Sequence, residues 1–303
     1  MPLLRTEAER LSNNSLISGV IDQIIERDDL FSVLPFTKTE GKAYVYNRES
    51  TLAGADWLDP NDPVNESAST FQDITVKLKI LAGDVDIDKF LQSTMGDTNS
   101  QMAIQIAKKA KAVAREFHRT LATGDSSSNP KQFDGLKVLA NSGGASQLVT
   151  AGANGGALTL SMLDELCDAV PNGADAIIMR RGTIRAFRAL LRATYGTDAV
   201  LQQLENFGRP MLTHNGIPIL MNEFLATGET VGSNSNTCSV YAVRLNEADG
   251  LHGLYGGPNA GIAVENIGTV QNKDATRIRL KWYCSLALKS TRSLARLQGV
   301  TNV

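Results

Sequence analysis

RIRLKWYCSLALK, at positions 277–289, alternates without a break. Arg277, Arg279, Lys281, Tyr283, Ser285, Ala287 and Lys289 fall on one side, and Ile278, Leu280, Trp282, Cys284, Leu286 and Leu288 fall on the other. Period two is the pattern of a half-buried β-strand. At about 3.3 Å per residue the stretch extends roughly 43 Å, whereas strands usually run about 5 to 6 residues. An element this long needs an equally long surface to lie on.

A second element is nearly as long. Across residues 99–122, Met102, Ile106, Ala110, Val113, Phe117 and Leu121 recur at helical spacing, with Lys108, Lys109, Lys111, Arg115 and Arg119 on the other faces. At 1.5 Å per residue this helix spans about 36 Å. Strand and helix together predict an elongated, flat subunit rather than a globular enzyme.

Upstream, residues 42–50 and 71–81 both alternate and read as two long strands of one ribbon, the second with Ile74, Val76, Leu78 and Ile80 on one side. The segment between them holds Pro60, Pro63 and the acids Asp56, Asp59, Asp62 and Glu66, and residues 49–76 contain no Lys or Arg. A two-stranded ribbon is marginal alone, so this acidic-tipped one is expected to dock on another surface. Before it, Ile17, Val20, Ile21, Ile24 and Ile25 mark a short amphipathic helix, marginal by itself. Residues 151–157 are a Gly-rich loop. A mixed α/β block follows, with helices at 161–170 and 183–194, strands at 174–179, 217–221 and 240–244, and Gly- and Asn-rich loops to 261.

Composition excludes several classes. The 303 residues hold 30 basic and 32 acidic groups, a net of −2, so no whole-protein field favours nucleic acid or an anionic membrane. The first hundred residues nevertheless carry 9 basic and 17 acidic groups. Three scattered cysteines, Cys167, Cys238 and Cys284, make no disulfide framework and point to a reducing compartment. No signal pattern or apolar span occurs, which reads as a soluble intracellular product without a membrane partner.

Chemistry is sparse. His118, His214 and His252 sit in no triad or ligand spacing, and His118 reads as a solvated surface residue of the long helix. No GxSxG, HExxH, CxxC or GxxxxGK[ST] is present. Asp84-Val-Asp-Ile-Asp88 resembles the start of a calcium loop, but Lys89 and Met95 stand where Gly and Glu are required; a solvated face with a helix N-cap at Asp88 fits better. The 151–157 loop lacks the lysine and glycine order of a phosphate cradle. Arg181, Arg185, Arg188 and Arg192 form a basic stripe suited to phosphate, to a neighbouring subunit or to solvent alike. No catalytic residue, metal or cofactor is expected.

The order of features (amphipathic arm, acidic-tipped hairpin, long helix, the 129–136 segment NPKQFDGL, an α/β block carrying LTLSMLDEL at 158–166, and a closing LARLQGV at 294–300) resembles the major capsid protein of tailed bacteriophages, over essentially the whole chain. The resemblance implies an α+β subunit of the Hong Kong phage-type fold, shared with encapsulin shells. Residues 1–41 are then the N-terminal arm and 42–80 the extended loop. The peripheral domain comprises 81–157 and 262–290, with the long helix as its spine, and the axial domain comprises 158–261 and 291–303. It implies a non-enzymatic protein that assembles into pentamers and hexamers of an icosahedral head around double-stranded DNA. Its partners would be itself, portal and scaffolding proteins, a possible decoration protein, and packaged DNA through nonspecific contact. Its place would be the virion, after assembly in the host cytoplasm. The alternatives are an encapsulin-type compartment and, from another class, an α/β nucleotide-using enzyme centred on 158–222.

In that family the extended loop lies over a neighbour's peripheral domain. The loop acids Asp56, Asp59, Asp62 and Glu66 are therefore expected near a neighbour's Arg277, Arg279, Lys109 or Arg115. The archetype also begins with a fused scaffolding segment and ties subunits by a Lys-to-Asn bond. Here Met1 leads almost directly into the arm, so scaffolding is expected as a separate protein or not at all; Lys77 and Lys79 lie on the ribbon, with no partner Asn identified by spacing.

Overall fold

The structure, a computed structural model, describes residues 28–41, 43–60, 62–94, 101–195, 201–203, 210–257 and 261–301. The stripe at 17–25 lies outside the described residues. In chain order the elements are α1 (Leu30–Val33), β1 (Phe36–Lys38), β2 (Ala43–Thr51), β3 (Thr70–Lys77), β4 (Lys79–Asp88), α2 (Lys89–Thr94), α3 (Gln101–Thr123), α4 (Leu136–Asn141), β5 (Leu148–Thr150), α5 (Leu160–Asp168), β6 (Ala176–Met179) and α6 (Arg181–Tyr195). Then follow β7 (Leu201–Gln203), β8 (Pro210–His214), β9 (Ile217–Met221), β10 (Glu229–Val231), β11 (Asn234–Val243), β12 (Leu251–Gly256), β13 (Ala263–Thr269), β14 (Ala275–Leu288) and β15 (Leu294–Val300).

The alternating 277–289 stretch is β14, and a sheet is built around it. One edge pairs antiparallel with β4 over ten residues, from Ala275 opposite Asp88 to Cys284 opposite Lys79. The other edge carries β13 and then β12 end to end, with β1 parallel to β12 outside. The apolar side is buried as its pattern predicts. Phe117 and Leu121 of α3 share one core with Trp282, Cys284, Leu286 and Leu288, the Phe117 and Trp282 rings 4.5 Å apart, while Val113 packs with Ile278 and Leu280. Ser285 and Ala287 on the opposite side are buried too. There the ribbon's root covers β14, which period two alone does not reveal.

An eight-stranded sheet, in the order β5-β15-β11-β6-β9-β8-β7 with β10 beside β11, carries the α/β block. The closing segment runs here, β15 pairing antiparallel with β11 and parallel with β5. Both faces are covered, which is why its central strands read as continuous apolar runs. Ile178, Tyr241, Val243 and Leu294 face the core shared with β14; Ile177, Met179, Val240, Ala242 and Leu297 face α5 and α6, meeting Leu163, Leu166, Phe187 and Leu191.

Several expectations need correction. The strand read over 71–81 is two strands that part at Leu78: β3 pairs with β2 in the ribbon, and β4 continues to Asp88 in the β14 sheet. Unbroken alternation across the junction conceals the change of partner. The loops expected up to 261 include β12, a full strand of the β14 sheet. The 151–157 loop is fastened to β15, because Gly156 N donates to Gly299 O and Thr301 N to Gly156 O. Gly155 (φ +76°) backs onto Gly299, whose carbonyl oxygen would lie 2.6 Å from an added Cβ, so no side chain fits there.

Candidate assembly surfaces

The ribbon leaves the body at a clamp. Tyr46 Oη donates to Leu288 O at 2.7 Å; Arg48 donates through Nε to Lys289 O and through Nη2 to Leu288 O, each at 2.8 Å. Lys289 Nζ stands 5.6 Å from the Tyr44 ring centre. Burial of Tyr46 pushes its phenol pKa up, so it stays a protonated donor. Beyond the clamp the ribbon holds itself: Thr51 Oγ1 meets Thr70 Oγ1, Ala53 N donates to Ser69 Oγ, Ser67 Oγ to Gly54 O, and Asp59 N to Asp62 Oδ2.

The outer part of this ribbon carries an exposed apolar set. Leu52, Trp57, Leu58, Val64 and Phe71 are exposed, Trp57 completely, and Asp56, Asp59, Asp62 and Glu66 stand among them, also exposed. An exposed apolar group rimmed by charge marks an interaction site on a soluble protein. A Trp at its centre is the side chain most enriched among interface residues that carry binding energy.

The basic residues expected to receive those acids are engaged within their own chain. Arg277 makes a two-point pair with Asp86 (Nε–Oδ1 2.6 Å, Nη2–Oδ2 2.7 Å), and Arg279 makes one with Asp84 (both 2.8 Å). Lys281 pairs with Glu265 on the flanking strand. The Arg279 and Arg277 hydrogen bonds hold the Asp84 and Asp86 carboxyls below their ordinary pKa. Asp84 and Asp86 thus form a cross-strand ladder with the arginines, while Asp88 Oδ1 caps α2, accepting from Phe90 N at 2.8 Å. Lys109 lays its stem over Gly83 of β4 and adds positive charge beside Asp84.

From end to end this architecture matches solved structures. The holo-SrpI encapsulin complex from Synechococcus elongatus PCC 7942 aligns with 20% identity over 99% of this chain and 96% of that one, with a TM-score of 0.73. The capsid of an empty GTA particle aligns with 16% identity over 95% of each chain, TM-score 0.67. The capsid of cyanophage A-1(L) aligns with 12% identity over 96% of this chain and 98% of that one, TM-score 0.66. This chain has the Hong Kong phage-type capsid fold. No protein-family model and no curated protein matches the sequence.

Within this capsid fold the remaining candidates occupy different places. Lys79 Nζ donates to Pro130 O at 2.6 Å, which ties the start of β4 to the loop after α3, and Lys77 is exposed on β3. Arg115 lies on α3. His118 is not a solvated surface residue: its Nδ1 lies 2.7 Å from Asp28 Oδ2, with the Asp28 side chain only 1% exposed, and its ring stacks on Phe224 and meets Phe31 edge-on. Helical spacing places His118 beside the apolar stripe but does not show the arm's root folding over it. Asp28 also accepts from Leu30 N and Asn222 Nδ2, and Asp29 is bonded to Met221. These contacts join arm, α3 and β9.

Sequence reasoning missed one buried network. Arg296 donates to Ser239 Oγ and Asn141 Oδ1, each at 2.8 Å, and to Glu229 Oε2 at 3.1 Å; Glu229 also accepts from Ser239 Oγ. The Arg296 and Glu229 side chains are each 5% exposed. The one available signal was a lone Arg inside the apolar closing segment, which demands a buried acid. Among the described residues no cluster of His, Cys, Asp or Glu is arranged to hold a metal, and no helix is long and apolar enough to cross a membrane.

Proposed function

We propose that this protein is the major capsid protein of a tailed bacteriophage, a non-enzymatic shell subunit whose pentamers and hexamers close into an icosahedral head around double-stranded DNA. The observation that carries this reading is the ribbon. Its fully exposed Trp57 and neighbouring Leu52, Val64 and Phe71 sit among four acids on an arm clamped at one end. Such a surface is stabilised by a second copy of the chain, where each ribbon lies across the next subunit and the contact repeats around a closed ring. Because Arg277 and Arg279 are already paired with Asp86 and Asp84, the apolar set supplies the main docking energy, and Asp56, Asp59, Asp62 and Glu66 set register. Exposed ion pairs are worth only about 0–1 kcal/mol each. On this reading the protein resides in the virion, is assembled in the host cytoplasm, and meets portal and scaffolding proteins.

A second reading, an encapsulin-type compartment with protein cargo, is favoured by the TM-score of 0.73 to the Synechococcus shell, above those of the two capsids described. Electron microscopy of the purified protein tests both. Closed particles are expected, and monomers or small oligomers alone overturn the shell reading. Nuclease-protected double-stranded DNA in particles from infected or induced cells supports the phage head, and a single co-purifying enzyme supports the compartment.

A further inference from the structure

The face of α6 turned away from the core carries Arg181, Arg185, Arg188 and Arg192, while Phe187 and Leu191 are buried on the other side. Spacings of four, three and four residues place the arginines in one row, about 16 Å long at 1.5 Å per residue. Arg181 is bound to Glu223 at 2.7 Å. Arg185, Arg188 and Arg192 are exposed, and no carboxylate among the described residues pairs with them.

Two occupants fit such a row: the acidic ribbon of another copy, or a nucleic-acid backbone. The rest of the α6 surface separates them. Among its described residues the exposed positions beside the arginines are small, Ala189, Ala193 and Thr194, and none is a large exposed apolar side chain. A protein interface needs a desolvated apolar centre, and the ribbon brings Trp57 and Leu52, for which this row has no receptor. Phosphate needs none. Guanidinium forks bind phosphate oxygens bidentately, and duplex DNA presents about one charge per 1.7 Å of axis, so the roughly 10 Å from Arg185 to Arg192 passes about six phosphate charges.

We propose that Arg185, Arg188 and Arg192 form a sequence-independent contact for the phosphate backbone of double-stranded nucleic acid. This deepens the phage-head reading and rests on it for the origin of the duplex, the contents of the container.

The test uses full-length protein, taken as the unassembled fraction from gel filtration, and a fluorescent 30-base-pair duplex of mixed sequence titrated between 50 and 200 mM salt. Each neutralised phosphate contributes about 0.9 to the slope of log K against log salt. Replacing the three residues together (R185Q, R188Q and R192Q) is therefore expected to flatten that slope by about 2.7. Wild type then loses roughly 40-fold more affinity than the variant across this fourfold salt range. Replacement by Lys is expected to restore the slope, and all three proteins are expected to melt alike because the residues are exposed.

Equal slopes, or no binding by wild type, overturn the proposal. So does loss of particles on reversing the row (R185E, R188E and R192E) that is rescued by exchanging Asp56, Asp59 and Asp62 for Arg, which assigns the row to a second copy. Microscopy of the same preparations keeps the two ideas apart. Normal particles with equal slopes sink the contact alone; a flattened slope without particles sinks the shell and leaves the contact standing.

Discussion

Arg296 on β15 and Glu229 on β10 face each other at 3.1 Å inside the protein, each with 5% of its side chain exposed. Removing one partner of a buried pair costs about 3–5 kcal/mol where the other charge is left uncompensated, whereas replacing both with apolar residues of similar size is often neutral; Lys137, 3.4 Å from Glu229 Oε1 at the rim, softens the loss. Arg296→Met is therefore expected to destabilise the subunit toward the lower end of that range, and Arg296→Met with Glu229→Leu by less. Urea unfolding of the four proteins in the cycle measures the coupling.

Asp28 is the polar knot where arm, α3 and β9 meet. Asp28→Ala leaves Leu30 N and Asn222 Nδ2 without their acceptor and His118 without its partner. A buried unsatisfied group costs about 1–3 kcal/mol, so a loss near the top of that range is expected. Asp28→Asn, which keeps an acceptor oxygen, is expected to lose about half as much, read from thermal melting of both variants.

The Asp84–Arg279 and Asp86–Arg277 ladder gives an acid-dependent component. Both carboxyl pKa values are lowered on folding, so their stabilisation is complete above the ordinary value of 3.8 and disappears as pH falls through the folded values. The pairs are exposed enough that solvent screening keeps each contribution small. Replacing Arg277 and Arg279 with Gln is expected to lower the melting temperature at pH 7 and to lower it progressively less as pH falls below 3.8. An undiminished difference at pH 3 contradicts the ladder as its source.

On the shell reading, Trp57 separates folding from assembly. Being fully exposed, its change to Ala is expected to alter subunit stability by less than about 0.5 kcal/mol. At a subunit interface a buried Trp typically costs 2 kcal/mol or more when truncated. Particles of the variant are expected to dissociate at distinctly lower guanidinium, measured by light scattering, while the subunit melts normally.

The thiols are expected to be silent in the folded protein. Burial pushes Cys167 and Cys238 to about 11 and Cys284 to about 12. Only the thiolate reacts, so a chromogenic thiol reagent at pH 8 should detect almost no reaction until denaturant is added, and three thiols afterwards.

The periodic elements were legible in the sequence because one physical cause sets them: β14 and α3 each present a stripe to one shared core, and their spacing says so. Partner exchange was not legible. Residues 71–81 alternate in the same way on both sides of Leu78, though β3 and β4 belong to different sheets. The Asn215-Gly216 turn between β8 and β9 was legible in principle, since positive φ at both residues suits a two-residue hairpin. Of the candidate surface, the acids could be read from composition. The pairing of Arg277 and Arg279 with Asp86 and Asp84 could not, because it depends on a register joining residues nearly two hundred positions apart.

The split at Leu78 has a mechanical consequence. Because β3 runs directly into β4, a pull on the ribbon's outer end loads β4 lengthwise against β14. Hydrogen bonds between antiparallel strands lie across the strand direction, so ten residue pairs take that load in shear, together, rather than opening one after another like a zip. The clamp of Arg48 on Leu288 and Lys289 anchors the ribbon's other strand at the C-terminal end of β14, near where β4 begins. On the proposed shell reading, a lattice of such subunits would resist stretching along its surface far better than the peeling of a single ribbon, as a thin wall around packed contents requires.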